Sequence, residues 1–286
     1  MEYAGKVRKL KEILSHLLPE GLCVAFSGGV DSAVLLCLAE ALRREHGLPA
    51  GSLRGVLFAT QLHPPADEAD AKQQAEAMGV PLEVVRVDEF SDPAIMQNPP
   101  DRCYRCKRLL FQTLWETARK AGLAVAADGT NYDDLSEYRP GLRALRELGV
   151  RSPLAEAEMT KEEVRHLAKE MGLAVSRKPS SPCMATRLPY GDRLTPEKLR
   201  QAAEGEELLK QAGFPVCRLR VHENLARIEI LPADFGRFGA VMEEITGKIK
   251  NLGFDYVTLD LEGFRSGSMD EPLRRMEKSS QEAAKN

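Results

Sequence analysis

The feature that most constrains this 286-residue chain is short. The apolar run Leu22-Cys23-Val24-Ala25-Phe26 passes directly into Ser27-Gly28-Gly29-Val30-Asp31-Ser32 and then into a helical stretch reaching about residue 45. A buried strand that turns through two glycines into a helix commits the chain to strand–helix alternation. Residues 53–60, 82–87 and 123–127 read as further short strands, with helical stretches at 4–18, 65–78 and 103–121 and a polar, proline-bearing loop at 88–102. This pattern predicts an α/β fold, a doubly wound parallel sheet with helices on both faces. Ligands bind such sheets beyond the carboxyl ends of the strands. Those ends are here the polar stretches 27–32, 60–64 and 128–139.

The pattern changes after a helix expected at 160–171. Residues 176–193 (SRKPSSPCMATRLPYGDR) hold three prolines, a glycine and four basic residues, which no helix interior or central strand accommodates. They read as an ordered loop and linker between a first domain, 1–175, and a small α+β domain, 194–270. The second domain should run helix 195–211, strands 216–222 and 226–231, helix 232–252 and strand 256–261, followed by a polar, frayed tail at 271–286. Forty basic against 43 acidic side chains, a net charge of −3, argue against a polybasic nucleic-acid binder. No apolar stretch approaches the roughly 18 residues of a membrane helix, and the charged N-terminus does not read as a signal peptide. A cytoplasmic protein with no membrane partner is expected. Its six cysteines are then poor disulfide candidates.

The hexapeptide 27–32 carries the first chemistry. Its glycines let backbone N–H groups approach an anion, Ser27 and Ser32 add hydroxyl donors, and the following helix dipole favours negative charge. Asp31 would be repelled by phosphates unless a divalent cation such as Mg²⁺ joined them. The segment resembles the SGGxDS pyrophosphate loop of the N-type ATP pyrophosphatases, or PP-loop enzymes. That resemblance implies ATP cleavage between the α and β phosphates, with substrate oxygen attacking to give an adenylate. It also implies that adenine lies against the strand ends Ala25-Phe26 and Phe58-Ala59-Thr60, and that Gly129-Thr130-Asn131 forms a second nucleotide-contacting turn. Asp133 and Asp134 fit a solvated helix N-terminus as well as they fit a metal site.

Cys103 and Cys106 form a C-x-x-C at a helix start, where Arg102, Arg105, Lys107 and the helix dipole should favour thiolates. A structural zinc site would need two more ligands, with Cys183, His63 and a few others plausible. Cys183 lies in the rigid, basic 176–193 loop with Lys178 and Arg187 near it in sequence, which is not a core cysteine's setting. Cys23, Cys37 and Cys217 occupy apolar runs and read as small core hydrophobes.

Together SGGVDS, NPPDRCYRCK, DGTNYDDLSEYRPG, SPCMATRLPYG and RLRVHENLARIEI, spread over about 27–230, resemble the LarE family. These are ATP-dependent sulfur transferases that build the nickel-pincer nucleotide cofactor of lactate racemase. The resemblance implies adenylation of each carboxylate of pyridinium-3,5-biscarboxylic acid mononucleotide and its conversion to a thiocarboxylate, with Cys183 bearing the sulfur. Two routes stay open. Cys183 is consumed by C–S cleavage to dehydroalanine, or Cys103, Cys106 and Cys183 hold a [4Fe–4S] cluster whose open iron carries an exchangeable sulfide, the slightly favoured expectation here.

In the second domain, Arg218, Arg220 and His222 alternate along one strand and Arg227 and Glu229 along the next. A nucleotide phosphate suits such arginines. Arg187, Glu207, Arg220, His222, Arg227 and Glu229 are the expected substrate contacts, with Glu206 as the alternative to its neighbour Glu207. A homo-oligomer and hand-off to the nickel-inserting enzyme of the pathway complete the expectation. Amide ligation is disfavoured because no glutaminase domain fits and the cysteines go unexplained; tRNA thiolation is disfavoured by the net charge. A non-catalytic nucleotide sensor is the reading from a different class, and pyrophosphate release separates it.

Overall fold

The structure, a computed structural model, describes residues 2–63, 65–136, 140–177, 182–265 and 267–271. The chain separates into two compact units, Met1–Ile95 with Asp101–Ser181, and Met96–Pro100 with Pro182–Asn286. Lys178 and the expected tail beyond Glu271 lie outside the described residues.

In the first unit the elements run α1 (Tyr3–Leu17), β1 (Leu22–Ala25), α2 (Val30–Glu45), β2 (Leu53–Thr60), α3 (Pro65–Met78), β3 (Leu82–Val87), α4 (Pro93–Met96), α5 (Arg102–Lys120), β4 (Val125–Ala127), α6 (Gly141–Glu147), α7 (Pro153–Glu156) and α8 (Lys161–Glu170), α4 ending as the chain passes to the second unit. The four strands form a parallel sheet in the order β3-β2-β1-β4. Alternation along the strands sorts the core. Leu22, Val24, Leu53, Leu57, Val125 and Ala127 join side chains of α1, α2 and α8 in one buried cluster. Cys23, Val56 and Ala126 join Leu110, Phe111, Leu114 and Ala118 of α5 in the other. Both faces are therefore covered, as a parallel sheet requires. The order turns back between β1 and β4, so the loops leaving these two strands flank a switch point of the kind that binds ligands.

The second unit holds α9 (Pro196–Gln211), β5 (Cys217–His222), β6 (Leu225–Ile230), α10 (Phe235–Gly239), α11 (Met242–Lys250) and β7 (Tyr256–Leu259), with β6 central, antiparallel to β5 and parallel to β7. Residues 96–100 belong to this unit because they bond to its leading loop. Asn98, fully buried, donates Nδ2 to the Pro189 carbonyl at 2.7 Å, Gly191 donates to the Asn98 carbonyl at 2.9 Å and Leu194 to that of Met96 at 2.8 Å.

Three expectations are corrected locally. Residues 88–102 are not all loop, since Glu89–Ser91 is a 3₁₀ turn and α4 follows. The expected helix 232–252 is broken into a 3₁₀ turn, α10 and α11. Gly236 and Gly239 weaken its middle, and Ala240 and Val241 close α10 with i→i−3 bonds. Neither α6 nor α7 was expected; one or two turns are too short to show a helical period. Within 176–193, Met184–Arg187 is a 3₁₀ turn.

Helix α8 begins with a reciprocal capping box. Glu163 N–H donates to Thr160 Oγ1 at 3.3 Å, and Thr160 N–H donates to Glu163 Oε2 at 2.8 Å. Thr160→Ala should lower unfolding free energy by about 0.5–2 kcal/mol, the usual worth of an N-cap, with the loss of amide exchange protection concentrated in the first turn of α8.

Candidate active site

The loop after β1 folds on itself. Ser27 N–H donates to Ser32 Oγ at 3.2 Å, Ser32 Oγ donates to the Gly29 carbonyl at 3.1 Å, and the two hydroxyls lie 3.3 Å apart. Gly28 sits at φ +70°, where a Cβ would also meet Ala71 Cβ of α3 at 3.0 Å, so glycine is required twice over. Gln74 of α3 donates Nε2 to the Gly28 carbonyl at 3.2 Å, fixing the loop from outside. Gly29 caps α2, so its first-turn N–H groups and Asp31 face the same end.

The loop after β4 meets this one directly. A Cβ on Gly129 would stand 2.8 Å from Ser32 N, so the two backbones touch. Thr130 is buried, its hydroxyl donating to Asp128 Oδ2 at 2.6 Å, which points its side chain into Asp128. The neighbouring Asn131 reaches the phosphate loop instead: Nδ2 donates to Asp31 Oδ1 at 3.2 Å. Lys161 of α8 pairs with the other Asp31 oxygen. Asp133 and Asp134 cap backbone, accepting from Lys161 N–H at 2.8 Å and Asn131 N–H at 3.1 Å.

Phe26 is buried in the first core cluster, so at the end of β1 it offers backbone, as does Ala25. Phe58 tilts against Phe111, ring centroids 6.2 Å apart, and Thr60 Oγ1 lies 2.7 Å from His63 Nδ1.

Cys103 and Cys106 lie within the first five residues of α5. Of the three cations expected around them, Arg102 is buried and donates to Cys103 Sγ at 3.5 Å. Arg105 turns outward onto Asp101 at 3.0 Å, and Lys107 lies 3.8 Å from Asp128 and over the Phe111 ring. The Cys106 thiol faces Glu89 Oε1 at 3.9 Å. Glu89 is fully buried, and burial pushes its carboxyl above the usual range.

In the second unit Cys183 caps the turn Met184–Arg187. Its carbonyl accepts from Thr186 N–H at 3.0 Å and Oγ1 at 2.8 Å and from Arg187 Nη1 at 3.3 Å. Arg187 is buried and forks onto Glu206, Nε–Oε1 2.8 Å and Nη2–Oε2 2.9 Å. Its described role is thus to fix the turn's backbone with its charge balanced. Glu207, one residue further round α9, is exposed and bonds Gln211 and Lys210, because adjacent helix residues face different directions. Glu206 is the buried partner.

Strand β5 presents Arg218, Arg220 and His222 on one face, and this face is not solvated, since Arg220 is buried. Arg220 and Arg227 stand opposite in register, a like-charge pair made stable by fully buried Glu229. It accepts from Arg220 at 3.0 and 2.7 Å, from Arg227 at 3.1 Å and from Ser268 at 2.9 Å. Arg220 Nη1 also donates to the Thr186 carbonyl at 2.8 Å, tying β5 to the Cys183 turn. Burial first, then the neighbouring Arg187 and Arg220, lower the Arg218 pKa against the opposing pull of Glu206, and burial with Arg227 lowers that of His222. Cys23 and Cys217 are buried, their thiols pushed up to about 12, while Cys37 is half-buried.

Asp31, at the mouth of the loop, is the group that would face a Mg²⁺ carried by nucleotide phosphates. Among the described residues no three His, Cys, Asp or Glu side chains are grouped to hold a metal ion.

The parallel sheet, the glycine cradle after its first strand and the SGGVDS sequence of that cradle fit a PP-loop ATP-binding domain. The PP-loop domain family matches residues 3–137. The chain is 38% identical over 253 residues to the pyridinium-3,5-bisthiocarboxylic acid mononucleotide synthase of Lactiplantibacillus plantarum, covering 88% of this chain and 90% of that one. It is 36% identical over 273 residues to the uncharacterized protein slr1717 of Synechocystis sp., covering 95% and 99%. It is 32% identical over 267 residues to the uncharacterized protein MJ0830 of Methanocaldococcus jannaschii, covering 93% and 100%. The chain belongs to the LarE family of PP-loop sulfurtransferases. Among the described residues no helix is long and apolar enough to cross a membrane.

Two measurements probe these contacts. Gly129→Ala should push α2 away from β4 and weaken ATP binding by about tenfold or more, since an overpacked backbone contact costs roughly 1–3 kcal/mol; calorimetric titration reads it. Glu229→Ala should cost about 3–5 kcal/mol of stability in urea unfolding, because two arginines lose their buried counter-charge, with Glu229→Gln losing less.

Proposed function

We propose that this enzyme adenylates the carboxylates of pyridinium-3,5-biscarboxylic acid mononucleotide and replaces the activated oxygen with sulfur borne by Cys183. Kinship with a bisthiocarboxylate synthase over nearly the whole chain carries the reading. The phosphate loop of the first unit and the anchored cysteine turn of the second supply the two halves of the chemistry.

A substrate carboxylate oxygen attacks the α-phosphorus of ATP and pyrophosphate leaves. The product is a mixed anhydride whose AMP is a far better leaving group than oxide. Loop N–H groups and the α2 N-terminus stabilise charge developing on the phosphates. Mg²⁺, held through Asp31, supplies further neutralisation when bound. The Cys183 thiolate attacks the activated carbonyl carbon, AMP departs and a thioester forms. Loss of the Cys183 Cα proton and cleavage of its Cβ–Sγ bond then give substrate thiocarboxylate and dehydroalanine at position 183. The arginines that gather around Glu206 and Glu229 suit the phosphate of a nucleotide substrate. Arg187, Arg220, Arg227 and His222 are the proposed binding residues, together with Glu207 and Glu229. A cytoplasmic homo-oligomer that passes product to a nickel-inserting enzyme belongs to the same proposal.

Cys183→Ala should release pyrophosphate with ATP and substrate yet yield no thiocarboxylate; normal product from this variant refutes the sulfur assignment. Intact mass of wild type after turnover should fall by about 34 Da, the loss of H₂S on β-elimination. If the mass is unchanged and anaerobically reconstituted protein instead gains iron and broad absorbance near roughly 400 nm, the sulfur travels on a cluster built with Cys103, Cys106 and Cys183.

A further inference from the structure

The charge balance of the phosphate loop is completed from far along the chain. Asp31 accepts Asn131 Nδ2 on one oxygen and pairs with the Lys161 ammonium on the other. Lys161 is no part of the loop; it opens α8, and its backbone is pinned by the Thr160–Glu163 capping box and by Asp133. A second tie holds the same turn, Lys6 Nζ to Glu163 at 2.9 Å. The ammonium is thus delivered to Asp31 from a fixed base, and Asp31 is the carboxylate that a cation carried by nucleotide phosphates would meet in the loop. One carboxylate oxygen cannot hold an ammonium and a divalent cation at full strength, because the two cations repel each other at contact distance.

We propose that Lys161 is a tethered substitute for the nucleotide's divalent cation. It neutralises Asp31 while the loop is empty and yields that carboxylate when the metal–nucleotide enters. The inference rests on the PP-loop ATP reading and adds to it a positioning residue with a defined exchange. Its consequence separates it from an ordinary phosphate contact. Lys161 should matter most when metal is absent, since among the described residues Lys161 is the cation paired with Asp31.

The test is calorimetric titration of full-length protein with ATP, once in EDTA and once in excess Mg²⁺, for wild type, Lys161→Met, Asp31→Asn and the double variant. Lys161→Met should weaken ATP binding in EDTA by about tenfold or more, the effect of one uncompensated carboxylate beside the phosphates, and by much less in Mg²⁺. Asp31→Asn should restore the EDTA affinity of Lys161→Met, so the two positions couple in EDTA and uncouple in Mg²⁺. Equal losses in both conditions, or no loss in either, overturn the exchange. Should Lys161→Met melt early, Lys161→Arg, which keeps the pair, must bind ATP in EDTA like wild type; an Arg variant as weak as Met also overturns it. Wild type that binds no ATP in either condition would defeat the PP-loop reading itself.

Discussion

The backbones of Gly129 and Ser32 lie so close that a single Cβ on Gly129 would reach 2.8 Å from the Ser32 nitrogen. Much of the nucleotide side depends on that contact. It forms because β1 and β4 are neighbours in a parallel sheet, so the loops leaving their carboxyl ends emerge side by side. It brings Asn131 within reach of Asp31 and seats the first turn of α2 against a rigid floor. A glycine cradle binds phosphate through backbone N–H groups, and these are useful only if they converge before the ligand arrives. Gln74 on one side and Gly129 on the other hold that convergence from outside the loop.

The second unit solves a different problem: holding a cysteine in a proline-rich turn that has little regular structure. Arg187 gathers the carbonyls of Pro182 and Cys183, and Glu206 balances its charge. Arg220 takes the Thr186 carbonyl from the other side, and Glu229 balances it. Buried guanidinium–carboxylate pairs add little net stability, because desolvation offsets their attraction, but breaking one is expensive. The geometry suits a turn whose exact position matters more than its contribution to folding. Arg218 joins this cluster with its pKa lowered by burial and by the neighbouring Arg187 and Arg220.

Some of the site was legible in the residues and some was not. SGGVDS was readable because its chemistry is local: glycines, hydroxyls and a helix start lie within six positions. The pairing of Arg218, Arg220 and His222 on one strand face followed from alternation alone. Their burial did not, since a strand of alternating polarity reads the same whether its polar face meets water or buried glutamates. Glu206 and Glu207 are indistinguishable in sequence, and only the rotation of α9 selects the first. Which way the residues of the 129–131 turn face was not legible: Thr130 turns its hydroxyl to Asp128, and Asn131 beside it reaches Asp31. Lys161 carries no local signal; it meets Asp31 only because α8 packs beside α2, 130 positions away.

What the chain determined by itself is the alternation of short apolar strands with helices, and hence the parallel sheet, the phosphate loop at its first carboxyl end and the cysteines available for sulfur chemistry. These follow from periodicity and from glycine's freedom at φ +70°, properties of neighbours in sequence. Tertiary structure alone decided which charges are paired and buried, which of two adjacent glutamates faces an arginine, and that a lysine from the eighth helix completes the phosphate loop. Burial and charge pairing are set by distances between segments far apart in the chain, and no local pattern encodes those distances.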